Sequence, residues 1–297
     1  MLQLPSDTIQ DASVTHLRSV QNKIVNEATF ELQVKKAEST WKNKNSGRGR
    51  APFVDIKSTL KNMCIGIEIC VYCEQNEATD IEHIYPKKLY PEKAFSWENY
   101  VLACGKCNTH HKSDKFSIFH PANSTSEVDI TPPRGIYVKP PNDDALFINQ
   151  RTEDPMELLE LDLVLNLFVF TEKYPPGTRE YKKAAYTKDL LGLNTRGSLV
   201  ANRKNAAHFF ISRLEKYCKA KSSTNFRELI LLDPDNWGHI DQTLSFMVEK
   251  HRIMEAIKKD LLSNTHRTVW KELIRQRLKL PRTNSLLDAA PEALSWM

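Results

Sequence analysis

The chain has 297 residues, 40% hydrophobic and 27% charged, with a formal charge of +5. This composition excludes a disordered chain and predicts a folded protein of roughly two domains. The charge is mild, well short of the extreme basicity of a dedicated DNA-coating protein, and only nine glycines occur, which leans the prediction towards helix.

The start, MLQLPSDTIQD, has no basic n-region followed by a long apolar core, so no secretory signal is expected. Apolar residues at Leu17, Val20, Ile24, Val25 and Ala28 follow a helical spacing, which predicts helix over residues 6 to about 42. The stretch WKNKNSGRGR then places Lys42, Lys44, Arg48 and Arg50 together with no acid. Such a cluster either attracts a polyanion or is a solvated basic linker. Ile56, Leu60 and Met63 predict a short helix over residues 54–63.

Residues 64–116 change character, with cysteines, short β-prone runs and turns. Four of the six cysteines form two C-x-x-C pairs, CVYC (Cys70, Cys73) and CGKC (Cys104, Cys107), separated by thirty residues. Four thiolates satisfy a tetrahedral Zn²⁺ completely, so this frame predicts a structural zinc with no open position for water. The thirty enclosed residues exceed the spacing of compact zinc modules, about 15–20 residues. They contain DIEHIYPKK and ENY.

The enclosed side chains suit phosphodiester hydrolysis. A hairpin from about Ala78 to Ala103, laid against a helix that begins near Asn108, brings Glu82, His83 and Asn108 towards one metal ion. Glu82 and Asn108 offer oxygen ligands to a hard cation such as Mg²⁺ or Mn²⁺. His83, with an ordinary pKa of about 6.5, suits a general base. Asn99 is placed to hydrogen-bond across the hairpin loop and hold His83 in register. Lys87, Lys88, Lys112 and Lys115 are candidates for phosphate contacts. Adjacent strand residues point to opposite faces, so this arrangement requires strong twist or a bulge at Glu82–His83. His111, one turn beyond Asn108, is either a solvent-facing residue or an extra group near the metal.

These motifs, C-x-x-C, acid-His-Ile-x-Pro-Lys, Glu-Asn-Tyr, C-x-x-C-Asn and Lys-Ser-Asp-Lys-Phe, resemble the HNH endonucleases with their ββα-metal finger. The resemblance spans about Cys70 to Phe116. It implies His83 as general base, Asn99 as the middle Asn, Asn108 as the last position and Glu82 as the acidic metal ligand. It also implies cleavage to 5′-phosphate and 3′-hydroxyl ends, DNA being favoured over RNA. Two departures stand out. Glu replaces the usual Asp and is one methylene longer, and Asn replaces a terminal His.

Residues 121–155 are Pro-rich and polar and predict a loop-like boundary. From Asp154 onward helices are predicted: DPMELLELDLVLNLFVF behind a cap-like Asp154–Pro155, KKAAYTKDLLGLN stopping at Gly192, and a basic helix over residues 195–221. That basic run carries seven Lys/Arg against one Glu. FRELILL, the TLSFMVEK… stretch and TVWKELIRQRLKL follow as helices. The longest near-apolar run, residues 158–170, contains Glu160 and Asp162 and is too short to span a bilayer, so the expected setting is cytoplasmic, with no membrane partner.

The Asp154–Pro155 start, LLGLN and the basic helix with Arg203 are similar to HNH nucleases of Septu-type anti-phage systems, including those attached to retrons. That resemblance implies a partner ABC-type ATPase and, in the retron case, a reverse transcriptase. The expected architecture is mainly α with a small α+β insertion: an N-terminal helical arm (1–50), a zinc-bound ββα-metal finger (51–125) and a helical C-terminal region (126–297). The competing reading is a zinc-finger module that binds nucleic acid or protein without cutting. It leaves Glu82, His83, Asn99 and Asn108 as unexplained surplus, because a zinc module needs only the cysteines.

Overall fold

The structure, a computed structural model, describes residues 1–65, 67–232 and 240–296. It is mainly helical with small antiparallel hairpins. The chain divides into two compact units, residues 1–160 with 170–196, and residues 161–169 with 197–297. The boundaries expected at residues 50 and 125 both fall inside the first unit.

In that unit the predicted N-terminal helix is two, α1 (Asp11–Val25) and α2 (Phe30–Lys42). The break is local chemistry: the Thr29 hydroxyl accepts from the Leu32 N–H and starts a new helix. Helix α3 (Arg50–Asn62) packs on α1 and on the strand Tyr100–Ala103. Gly49, just before it, is held by packing, since a Cβ there would lie 2.2 Å from the Lys44 carbonyl oxygen. Strands β1 (Asp80–His83) and β2 (Tyr100–Ala103) form the finger hairpin, in the register Asp80↔Ala103 to His83↔Tyr100. A π-helical segment, Lys106–Lys112, follows β2.

Two expectations fail after the finger. Part of the predicted loop pairs as strands: β3 (Ser117–His120) and β4 (Asn123–Asp129) form a second hairpin. The 154–170 run is helical only over α4 (Pro155–Leu158), with strands β5 (Leu159–Leu161) and β6 (Phe170–Glu172) after it. Leu159, Leu161 and Leu163 are buried while Glu160 and Asp162 are not. That alternation has the period of a strand, and Asn166 and Phe168 adopt positive φ, which no helix tolerates. Helix α5 (Arg179–Leu190) ends at Gly192, φ +59°.

The second unit is helical: α6 (Gly197–Ser222), α7 (Phe226–Ile230), α8 (Phe246–Leu262), α9 (Arg267–Arg275) and α10 (Pro281–Ala289). Helices α8, α9 and α10 pack on α6 around Phe210, Leu214, Ile257 and Trp270. Much of the basic run is matched within this unit. Arg203 is buried against the Phe168 carbonyl, and Arg213, Lys219 and Lys221 pair with Asp260, Glu215 and Glu292. Among the described residues no helix is long and apolar enough to cross a membrane.

Candidate active site

The four predicted cysteines meet. Cys70 and Cys73 sit in a tight turn, closed by the Cys70 N–H on Asn76 O at 2.8 Å and the Glu74 N–H on Cys70 O at 2.8 Å. Cys104 and Cys107 flank the start of the π-helical segment. All four thiols are free and buried, their Sγ atoms within 4.8 Å of one another. Zn–S bonds of about 2.3 Å in a tetrahedron place sulfurs about 3.8 Å apart. The Cys73–Cys104 separation is 3.9 Å, so the cage fits a zinc ion.

Two donors face this electron-rich cage. Asn76 Nδ2 lies 3.5 Å from Cys104 Sγ, and an Arg196 guanidinium N–H donates to Cys107 Sγ at 3.3 Å. A cation beside a doubly negative Zn(Cys)₄ centre offsets its charge. Arg196 follows the Gly192 turn, where a Cβ would come within 2.8 Å of the His111 ring. The LLGLN segment therefore docks on the finger, and His111 packs against that turn instead of lining the Glu82–His83 cleft.

Strand β1 lies against the π-helical segment through two polar pairs. Asn108 Nδ2 donates to Asp80 Oδ2 at 3.1 Å, and Lys112 Nζ lies 2.7 Å from Glu82 Oε1. Residues 80 and 82 share a strand face, and 108 and 112 lie about one turn apart, so the two pairs align. The expectation for Lys112 is corrected here. Its side chain is fully buried, and its Nζ also donates to the His83 carbonyl at 2.7 Å, so it holds the hairpin instead of facing a phosphate. Asp80 was missed in the sequence, although it sits two residues before Glu82 on the same strand face.

Lys112→Met should therefore leave the Glu82 carboxylate buried and uncompensated, a loss of about 3–5 kcal/mol in denaturant unfolding at neutral pH. Lys115→Met, at an exposed residue, should cost under about 1 kcal/mol. Equal losses for the two variants would refute the buried pairing. Burial already pushes the Glu82 carboxyl upward, with Lys112 pulling against it.

Of the two expected devices, strong twist or a bulge, no bulge is present at Glu82–His83. The β1–β2 register is unbroken. Instead β1 ends at His83 and the chain bends at Ile84–Tyr85, so Glu82 faces Lys112 and the His83 ring lies against the N-terminal arm. His83 Nε2 lies 2.9 Å from the Ala94 carbonyl. A carbonyl oxygen only accepts, so the proton sits on Nε2 and Nδ1 carries the free lone pair. Burial, then the nearby Lys87, pulls the imidazole pKa down to about 3, so the ring is neutral at pH 7.

The loop that carries Ala94 is pinned from two sides. Asn99 Oδ1 accepts from the Tyr85 N–H at 2.7 Å, and its Nδ2 donates to the carbonyls of Tyr85 (3.0 Å) and Lys93 (2.9 Å). Gln21 of α1 donates to Pro91 O at 2.9 Å and accepts from the Phe95 N–H at 2.8 Å. Trp41 of α2 packs its ring 4.1 Å from that of His83, with Tyr100 at 5.3 Å. The sequence offered no sign that Gln21 and Trp41 belong to this site.

Trp41→Ala should slow turnover and destabilise the chain by about 3 kcal/mol, while Trp41→Phe should retain most of both. A parent-like turnover number for Trp41→Ala would remove the arm from the site.

A polar cleft of about 230 Å³ opens between these elements, lined by Glu82, His83, Lys87, Asn108, Thr109 and Asp114, among others. Lys88 sits behind it, paired with Asp114 at 2.6 Å and Glu38 at 3.8 Å, and Lys115 is exposed. Among the described residues the cysteine cage is the one group of three or more His, Cys, Asp or Glu ligands that could hold an ion. An ion in the cleft would draw oxygen donors from Glu82 and Asn108 and fill its shell with water and phosphate, the habit of Mg²⁺.

Residues 70–114 match the family model of the HNH endonucleases. The chain is 31% identical over 112 residues to the Septu protein PtuB of Bacillus thuringiensis, a match covering 35% of this chain and 40% of that protein. It is 30% identical over 122 residues to the Septu protein PtuB of Bacillus mycoides (strain KBAB4), covering 35% and 38%. The chain thus spans about two fifths of the length of these curated relatives. No solved structure gives a significant match.

Proposed function

We propose that this chain, which carries an HNH endonuclease domain over residues 70–114, is a metal-dependent endonuclease that hydrolyses phosphodiester bonds, DNA being the favoured substrate. One observation carries the reading: Glu82, His83 and Asn108 line a single polar cleft, and the imidazole is held in one tautomer by the Ala94 carbonyl.

In this mechanism His83 Nδ1 takes a proton from a water that attacks phosphorus. The P–O3′ bond breaks, the 3′-oxygen leaves and is protonated by solvent, and the phosphate stays on the 5′ side. Glu82 and Asn108 would hold a Mg²⁺ or Mn²⁺ ion, which would supply charge neutralisation for the hydrolysis. Asn99 and Trp41 act by position, keeping the imidazole where the water must be. Burial and then the nearby Lys87 lower the proton affinity of His83, and the negative charge of an arriving phosphodiester raises it again.

The likeness to Septu PtuB proteins supports a place in anti-phage defence, acting in the cytoplasm. There the nuclease is proposed to work with an ABC-type ATPase, and in a retron setting with a reverse transcriptase. The test is a nicking assay on plasmid DNA and on RNA with Mg²⁺ or Mn²⁺, with and without a candidate ABC-type ATPase partner. Metal-dependent cutting that EDTA abolishes is the expected result. No cutting of either substrate, alone or with the ATPase, would overturn the proposal.

A further inference from the structure

Three clefts of the first unit share walls. The cleft at His83 meets, at Asn108, a second of about 330 Å³ that includes Trp41, Lys44, Lys57 and Asp80 in its lining. This second cleft shares Asn45, Phe53 and Lys57 with a third of about 400 Å³, which continues past Arg50 and Val54 of α3. The three clefts therefore adjoin one another from His83 across the N-terminal arm.

Lys61, in the lining of the third cleft, pairs with Glu68, but four other cations along this surface are unmatched. Among the described residues none of Lys44, Arg50, Lys57 and Lys87 has a carboxylate oxygen within 4.0 Å. The basic run on α6 is the contrast, since Arg213, Lys219 and Lys221 there meet the carboxylates of Asp260, Glu215 and Glu292. Lys44 is half-buried, its ammonium 4.5 Å from the centre of the Trp41 ring. Burial and the nearby Lys87 hold its pKa below the usual lysine value, a cost that a bound anion reverses. The floor between these cations is apolar, with Phe53 beneath and Val54 exposed at 65%. Spaced cations over an apolar floor match a nucleic-acid strand, whose phosphates seek the first and whose bases seek the second.

We propose that the N-terminal arm is the substrate track of this centre: a nucleic-acid strand lying across His83 and Asn108 continues over Trp41 and along α3, its phosphates held by Lys44, Lys57 and Arg50. This rests on the nuclease reading and deepens it, because these three cations lie outside the 70–114 domain. The track also ties binding to chemistry, since the ring that carries Lys44 is the one packed on His83.

The test uses the full chain in a His83→Ala background, so that substrate survives. Binding to fluorescein-labelled single-stranded and duplex DNA is followed by anisotropy across a KCl series. Lys44→Glu/Lys57→Glu is compared with Lys139→Glu/Lys279→Glu, which makes the same charge change at two exposed lysines off the track. Zinc content and thermal unfolding confirm that both variants fold. Each lost phosphate contact should lower the slope of log K against log salt by about 0.7 for a single strand or 0.9 for a duplex. The track variant should lose both contacts and bind at least about tenfold more weakly, while the control stays at the parent's slope. Parent-like binding by the track variant, or equal losses in both variants, overturns the track and leaves the nuclease reading standing. A background protein that binds neither DNA overturns both.

Discussion

His83→Ala should reduce metal-dependent nicking by about a thousandfold, within the range that a positioned general base contributes. The residue is 5% exposed and touches the Trp41 and Tyr100 rings, so its removal has a structural side as well. That side should be small. The Ala94 carbonyl keeps its second donor, the Tyr100 hydroxyl at 2.8 Å, and Asn99 still pins the loop. A loss of about 1–2 kcal/mol in unfolding free energy is expected, with zinc content unchanged. Activity and stability should thus separate, which distinguishes a lost base from a collapsed hairpin. A variant that nicks as fast as the parent would leave the finger as a binding module.

Cys73→Ser should act in the opposite way, through folding first. A serine hydroxyl does not ionise near neutral pH, so the cage would hold zinc with three thiolates. A structural zinc contributes on the order of 10 kcal/mol to the folding of a small domain. Here the ion would join the turn before β1 to the segment after β2, and that segment carries Asn108 and Lys112 to the strand. Zinc content, thermal stability and nicking should fall together, and a chelator should reproduce the loss in the parent. Cys64→Ser is the control: Cys64 stands outside the cage, its thiol on the Leu60 carbonyl, and should keep its zinc. A Cys73→Ser protein with parent-like zinc and unfolding temperature would refute the cage.

Some of the site was readable because its chemistry depends on short-range spacing. C-x-x-C places two thiolates on one turn, so CVYC and CGKC announce a zinc cage in any fold that brings them together. The β1–β2 hairpin followed, because the cage closes the ends of the segment between. Elsewhere local pattern misled. The cap-like Asp154–Pro155 predicts a helix through the apolar run that follows, while burial at Leu159, Leu161 and Leu163 follows a period of two. Short apolar runs satisfy both templates, and only packing separates them. Lys112 was read as a phosphate ligand for a similar reason. A lysine in a basic, polar segment looks solvent-facing, and its burial depends on Glu82 being opposite it across a strand–helix contact.

The residues themselves were enough to predict a four-cysteine cage suited to zinc, with an acid, an imidazole and two asparagines in or beside the segment it closes, since metal coordination and proton transfer demand particular side chains at short range. Tertiary structure alone decided that the finger is not a separate body. Gln21 and Trp41 from the arm hold the loop and the ring of His83, and Arg196 reaches Cys107 from 89 residues downstream. Contacts over such distances leave no periodicity in a single chain. They arise only when elements remote in sequence compete for the same buried surface, and that outcome is written in the packing.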